Sequence, residues 1–437
     1  MTDGRDTSLP PAGGDAEAGF GLLGRTLGHS WSRAIHAQLG SVPYQMFERE
    51  PEDVEAFVRE GAWRGINVTI PYKRNAARLA DEATERVERL GVANTLVRRA
   101  DGTILAENTD VLGFAWMLED FCERELGEDA RSAFAGCEVL VLGSGGASQA
   151  VQAAVEDATG IVPAVISRTG EDTYVGLAER HPRCGLIVNT TPVGMYPTCP
   201  ATPVEEGVLA QMGELRAVLD VVYNPRRTGI CLAAERLGIP CQSGLPMLVA
   251  QAVFASELFQ GKELDRSLIG DICKNISRQT TNITLIGMPG CGKTTAGRKL
   301  ARLLERPFFD MDDAFDLEAG MKAGDYIRAH GEEAFRAVET EVLAKYASRS
   351  GLVIACGGGV VTQPRNYDLL HQNSVIVGLE RDVSTLATKG RPLSQDRGVE
   401  ALAAERVPLY HAWADHTLSC TGTSDGDAHA IKDLLGF

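Results

Sequence analysis

Two stretches of the chain carry glycines, hydroxyls and a lysine at spacings that hold phosphate. GMPGCGKT, Gly287 to Thr294, fits the pattern G-x-x-x-x-G-K-[ST]. Its glycines, Gly287, Gly290 and Gly292, let backbone N–H groups turn into a concave nest for phosphate oxygens. A helix opening near Lys293 adds the positive end of its dipole. Lys293 has the reach for β- and γ-phosphates, the Thr294 hydroxyl suits Mg²⁺, and Cys291 and Thr295 complete the cradle. The second stretch, LVLGSGGAS, Leu140 to Ser148, is a looser glycine turn with Gly143, Ser144, Gly145, Gly146, Ala147 and Ser148. It resembles a dinucleotide-binding turn without being a strict G-x-G-x-x-G. About 20 residues on, an NAD site places a carboxylate. Here AVISRT puts Ser167, Arg168 and Thr169 at that position, and a guanidinium there suits a 2′-phosphate, so NADP(H) is expected.

Other residues are of types that move protons. GINVTIPYK, Gly65 to Lys73, sets Asn67 and Thr69 on one face of an expected strand and Ile66, Val68 and Ile70 on the other, with Pro71 ending it and Lys73 on the following turn. ENTD ends in Asp110. HSWS supplies Ser30 and Ser32. In the rear part, DMDD follows the expected strand Pro307–Phe309, and Asp310 and Asp312, two apart on a strand end, are expected to point the same way.

These residues need strands and helices to position them. Residues 19 to 112 alternate strand and helix patterns, and 113 to 135 read as a helix. Residues 137 to 240 restart as strand, glycine loop and helix, followed by the helical PMLVAQAVFASELF; residues 261 to 281 read as a helix turn plus linker. The strand Ile283–Ile286 and the amphipathic helix Ala296–Leu304 then flank the phosphate loop. The expected fold is α/β. The expected domains are a tail (1–18), a substrate-binding domain (19–112, completed by 245–265), a Rossmann NADP domain (113–244), a linker (266–281) and a P-loop domain with a parallel sheet flanked by helices (282–437).

The chain has 437 residues, a net charge of −16 and 44% hydrophobic residues. That charge argues against nucleic-acid or anionic-membrane partners; small molecules are the expected ones. Ten cysteines without a C-x-x-C pair point to reduced thiols. No apolar run approaches the ~20 residues of a membrane span, and the polar, Pro/Gly-rich start is unlike a signal peptide. The cytoplasm is the expected location.

In order, GMPGCGKT, DMDD, GEEAFRAVE, the triplet Gly357 to Gly359, GRPL and RVPLY resemble shikimate kinase over nearly all of residues 282 to 437. The resemblance implies that Arg336 and Arg406 clamp the shikimate carboxylate. It implies that Asp312 binds ring hydroxyls and acts as base, that Asp310 supports Mg²⁺, and that Arg391 stabilises the transferring phosphoryl from a lid. Gly357, Gly358 and Gly359 would admit the ring. Against that family, the lid segment is short, and the tail LSCTGTSDGDAH lacks the usual Arg/Asn-rich adenine contact.

HSWS, GINVTIPYK, GVANT, ENTD, VNTTPVGM, DVVYNP and GLPMLVAQ, also in order, look like shikimate dehydrogenase over residues 19 to about 265. That resemblance implies Lys73 as proton donor with Asp110 as its partner. Ser30 and Ser32 would take the substrate carboxylate, Asn67, Thr69, Asn94, Asp110 and Gln251 its hydroxyls, and Tyr223 would close the cleft. Thr190, Met195 and Gly244 join the NADP contacts. Arg33, Val111 and Ser243 depart from the family's usual Pro, Gly and Asp. A quinate-type dehydrogenase, or one half acting as a non-catalytic module, are the rival readings.

Overall fold

Short apolar runs separated by amphipathic helices form three sheets in a computed structural model that describes residues 19–28, 30–386 and 398–437. The chain divides into two compact units. One holds the residues up to Pro192 with Pro203–Tyr223 and Ala234–Ile276; the other holds Val193–Thr202, Asn224–Ala233 and Ser277–Phe437.

The first unit contains two sheets. Strands β1 (Phe20–Gly24), β2 (Tyr44–Glu48), β3 (Gly65–Val68), β4 (Glu82–Ala83), β5 (Thr95–Arg98) and β6 (Ile104–Glu107) are ordered β2-β1-β3-β5-β6-β4. β1, β2 and β3 run parallel, whereas β5 is antiparallel to both β3 and β6. Strands β7 (Glu138–Leu142), β8 (Ala164–Ile166), β9 (Cys184–Asn189), β10 (Ala217–Asp220) and β11 (Cys241–Gln242) form a parallel sheet ordered β11-β10-β9-β7-β8. Its central strands are buried along their whole length, as a sheet covered on both faces requires. The chain leaves β7 first for β8 and then for β9 on its other side. Such a switch point opens a crevice at the carboxyl ends of the strands, and the Gly143–Gly146 turn lies there.

Helices Thr109–Phe121 and Leu245–Gln260 pack side by side. Gly113 permits their approach, because a Cβ there would lie 2.8 Å from the Gln251 backbone nitrogen and from the Met247 carbonyl. This contact sets the position of Gln251.

The second unit carries β12 (Asn282–Gly287), β13 (Phe308–Asp310), β14 (Val353–Ala355), β15 (Ser374–Glu380) and β16 (His416–Ser419), all parallel and ordered β13-β14-β12-β15-β16. The phosphate loop follows β12, again where the chain turns to both sides.

Three expectations change. Residues 267–280 are a 14-residue helix, not a helix turn and linker. Ile269, Ile272 and Ile276 recur at helical spacing and are buried with Ile35, Leu39, Val249 and Val253. β3 ends at Val68, leaving Ile70 77% exposed, so the strand face assigned to Ile70 does not exist. Asp312 is not on a strand end: a helix, Met311–Ala319, starts immediately after β13, with Asp310 as its N-cap. Among the described residues, no helix is long and apolar enough to cross a membrane.

Candidate active sites

In the first unit, the turn after β3 delivers Lys73 as the first residue of the helix Lys73–Leu79. An ammonium is disfavoured at a helix N-terminus unless a carboxylate offsets it. Asp110 supplies one: Lys73 Nζ donates to Asp110 Oδ2 at 2.5 Å, and the two side chains are 19% and 14% exposed. Asp110 is itself in the first turn of the helix Thr109–Phe121, which Asn108 caps by accepting from the Val111 N–H.

Amides and hydroxyls surround this pair. Asn94 Oδ1 accepts from the Thr109 N–H at 2.7 Å, tying the end of the loop before β5 to the start of the helix bearing Asp110. Asn67 Nδ2 donates to Thr95 Oγ1 at 3.2 Å, and Thr95 Oγ1 lies 3.1 Å from Thr109 Oγ1. Gln251 Oε1 lies 3.5 Å from that same Thr109 hydroxyl, and its Nε2 donates to the Leu248 carbonyl. Asn67, Asn94 and Gln251 therefore converge on one hydrogen-bonded cluster next to Asp110. The Ser30 hydroxyl donates to Ser32 Oγ at 3.0 Å, Tyr44 lies within hydrogen-bond reach of Ser32, and the Tyr44 hydroxyl donates to Asn67 Oδ1 at 2.9 Å. Tyr223 packs on Trp31, between the two serines, with ring centroids 4.9 Å apart. Burial pushes its phenol pKa up, keeping it neutral. Thr69 sits just past β3, its N–H bonded to the Leu23 carbonyl. Tyr44, Thr95 and Thr109 orient the amides and were not anticipated; no sequence signal distinguishes them from ordinary core polar residues.

At the glycine turn, Gly143 has φ +101° and lies against Thr190 and Thr191 at the end of β9. The Ser148 hydroxyl donates to the Gly143 carbonyl at 2.7 Å, and the Thr190 hydroxyl to Leu142. Cβ atoms at Gly145 and Gly146 would meet nothing within 4 Å, which leaves backbone open to a ligand. Ser167 is buried, its N–H held by the Asp172 carbonyl, whereas Arg168 and Thr169 are exposed. Asp172 is bound instead by Arg180 and His181, the latter at 2.7 Å. Gly244 packs on Val221 at the end of β10. Met195 falls in the second unit, 45% exposed.

The second unit has a cavity of about 880 Å³. Lys293, 7% exposed, donates to the carbonyls of Gly287 (2.8 Å) and Met288 (3.0 Å), so its ammonium curls over the loop. Thr294 and Thr295 open onto the same cavity. Cys291 is fully buried, and its N–H is spent on the Met288 carbonyl, so the cradle is formed by its neighbours. Facing the loop, Arg336 is held by Glu339 at 2.7 Å and by Glu332 at 3.2 Å, and Arg406 donates to the Gly358 carbonyl at 3.3 Å. Both arginines are almost fully buried, yet each Nε lacks a hydrogen-bond partner among the described residues. Cavity-lining guanidiniums with spare donors fit an anionic ligand.

The glycine triplet is dictated by this packing. A Cβ at Gly359 would lie 2.2 Å from the Arg336 Nη atoms, and one at Gly358 would lie 2.5 Å from Pro289. Asp312 opens onto the cavity but is ringed by protein. Loss of bulk solvation and then the neighbouring Asp310 carboxylate push its pKa up to about 6, against the pull of Lys293. Asp310 Oδ1 accepts from the Asp312 N–H at 3.0 Å. No cluster of three or more metal-binding side chains is present among the described residues. A Thr294 hydroxyl and one carboxylate nonetheless fit Mg²⁺, which takes few protein ligands and completes its shell with water and phosphate. Arg391 lies outside the described residues. Arg381 also lines the cavity and was not anticipated.

Residues 22–96 match the shikimate dehydrogenase substrate binding domain. Over 278 residues the chain is 34% identical to a shikimate dehydrogenase (NADP(+)) of Halothermothrix orenii, covering 55% of this chain and 90% of that one. The chain belongs to the shikimate dehydrogenase family. A shikimate dehydrogenase (NADP(+)) of Methanopyrus kandleri is 37% identical over 279 residues, with 57% of this chain and 92% of that one covered. Among solved structures, a chorismate mutase/shikimate 5-dehydrogenase fusion protein from Clostridium acetobutylicum superposes with a TM-score of 0.52 at 30% identity, over 60% of this chain and 97% of that one. Residues 289–435 match the shikimate kinase family. This member of the dehydrogenase family is thus a fusion of two enzymes, an NADP-dependent dehydrogenase and an ATP- and Mg²⁺-dependent kinase, belonging to the shikimate pathway.

Proposed function

We propose that the first unit reduces 3-dehydroshikimate to shikimate and that the second phosphorylates shikimate to shikimate 3-phosphate. The observation that carries this reading is the pairing, in one chain, of the Lys73–Asp110 couple beside an amide-rich cluster with a phosphate loop facing two buried arginines. Reduction of a ketone needs a proton at the oxygen as hydride reaches the carbon. NADPH supplies the hydride when bound. The Lys73 ammonium delivers the proton, and Asp110 holds it toward the ring. Ser30, Ser32 and Tyr223 take the carboxylate end; Asn67, Thr69, Asn94 and Gln251 match the hydroxyls. Gly143–Ser148, Ser167–Thr169, Thr190 and Gly244 form the NADP side, with Arg168 on the 2′-phosphate.

In the second unit, Arg336 and Arg406 grip the same carboxylate, the Gly357–Gly359 backbone admits the ring, and Asp312 accepts the proton of the attacking hydroxyl. Lys293, with the Gly287–Thr295 loop, binds the phosphates; Thr294 and Asp310 hold Mg²⁺; the Arg391 charge stabilises the transferring phosphoryl. Residues 19–112 with 245–265 serve as the substrate domain, 113–244 as the NADP domain and 282–437 as the kinase, in the cytoplasm. A coupled assay tests this: the purified chain, given dehydroshikimate, NADPH and MgATP, should produce shikimate 3-phosphate. Lys73→Ala should stop the first step while leaving phosphorylation of added shikimate, and Lys293→Ala the reverse. Loss of both reactions in either folded variant would refute independent sites.

A further inference from the structure

We propose that Arg381 binds the phosphate chain of the nucleotide in the kinase cavity, and that Asp427 positions it. The inference rests on the reading of this cavity as an ATP site. Arg381 follows β15, and Leu379 pairs in register with Gly287 at the start of the phosphate loop. The arginine therefore emerges at the same carboxyl edge of the sheet as the loop itself. Its Nη2 would be 3.8 Å from a Cβ placed on Gly292, and that Cβ would be equally far from Thr295 Oγ1. The guanidinium thus stands over the first turn of the helix Lys293–Leu303, in the cavity that Lys293, Thr294 and Thr295 also line.

Asp427 fixes this placement. It is 1% exposed, and its Oδ1 accepts from the Thr421 N–H (2.6 Å) and hydroxyl (2.9 Å). Its Oδ2 has no hydrogen bond among the described residues and lies 3.6 Å from Arg381 Nη2. At that distance the carboxylate balances the charge without saturating the five N–H donors of the guanidinium. Arg381, 28% exposed, keeps donors for the cavity. Cations at this edge suit phosphate oxygens.

Equilibrium binding of Mg·ADP and of inorganic pyrophosphate to the full chain tests this, using the unaltered protein, Arg381→Ala, Arg381→Lys, Asp427→Asn and Lys293→Ala, each checked by thermal melting. Loss of one charge-assisted contact should weaken both ligands about tenfold in Arg381→Ala, with partial recovery in Arg381→Lys and a smaller loss in Asp427→Asn. Unchanged affinity in Arg381→Ala alongside weakened binding in Lys293→Ala would overturn the proposal. A loss confined to ADP would place the contact on adenosine and overturn the phosphate assignment. Wild-type affinity in Asp427→Asn would remove its positioning role. If Arg381→Ala fails to fold, Arg381→Lys and Arg381→Gln carry the comparison. If the unaltered chain binds neither ligand, the ATP-site reading fails instead.

Discussion

Arg336 and Glu339 pair at 2.7 Å one helical turn apart, with side chains only 6% and 7% exposed. An ion pair this buried is costly to break from one side, because the remaining charge has no solvent. Arg336→Ala should therefore destabilise the kinase unit by about 3 kcal/mol and abolish phosphorylation. Glu339→Gln keeps a hydrogen-bond acceptor and leaves Glu332 at 3.2 Å as counter-charge, so it should destabilise the unit less than Arg336→Ala does and raise the shikimate KM more than it lowers kcat. Denaturant unfolding and steady-state kinetics separate the two.

Asp312 gives the kinase a pH signature. The proposed base must be ionised, and desolvation with the Asp310 charge pushes this carboxyl up to about 6, so kcat should climb through pH 6 and level off above it. Asp312→Asn should remove the rise together with about 10²-fold or more of the rate. Stability carries the opposite sign. With its folded pKa raised above the ordinary 3.8, ionised Asp312 disfavours the folded state, a penalty absent below pH 4 and complete above pH 6. Asp312→Asn should accordingly raise the melting temperature at pH 8 and leave it unchanged at pH 3.5.

The Lys73–Asp110 couple predicts a division between binding and chemistry. Lys73→Ala should lower kcat for shikimate oxidation by about 10²–10⁴ while the Kd for NADP, read by fluorescence titration, stays put. Asp110→Asn should lower kcat and also raise KM, since Asp110 adjoins the amide cluster proposed to meet the hydroxyls.

Arg168 stands exposed while Arg180 and His181 occupy the nearby Asp172. Arg168→Ala should cut kcat/KM for NADP about tenfold or more and leave the NAD value nearly unchanged, measured with the two cofactors in parallel.

Gly113 predicts a structural route to the same site. A methyl group 2.8 Å from the Gln251 backbone must push two packed helices apart, so Gly113→Ala should cost about 1–3 kcal/mol and raise the KM of the dehydrogenase without altering its NADP affinity.

Legibility tracked how local each feature is. The P-loop and the glycine turn are legible because a few adjacent residue types share one conformational requirement; Lys73 and Asp110, 37 positions apart, come together as a pair only through the family resemblance. Residues such as Tyr44, Thr95 and Asp427 were not, since their roles arise only when strands distant in sequence come side by side. The DMDD run departs from the strand expectation for a related reason: period-2 logic holds along a strand, and the chain turns helical one residue after Asp310. The Ile269–Ile276 spacing was visible in principle, but flanking polar residues masked it.

That isoleucine-bearing helix dictates where the chain tolerates division. The partition between the two units falls after Ile276, inside continuous helix. Scission at residue 266 strips Ile35, Leu39, Val249 and Val253 of their cover and should yield a sticky, aggregating front fragment. Scission after Thr280 keeps the cover with its core, and anyone expressing the dehydrogenase alone should carry those fourteen residues along.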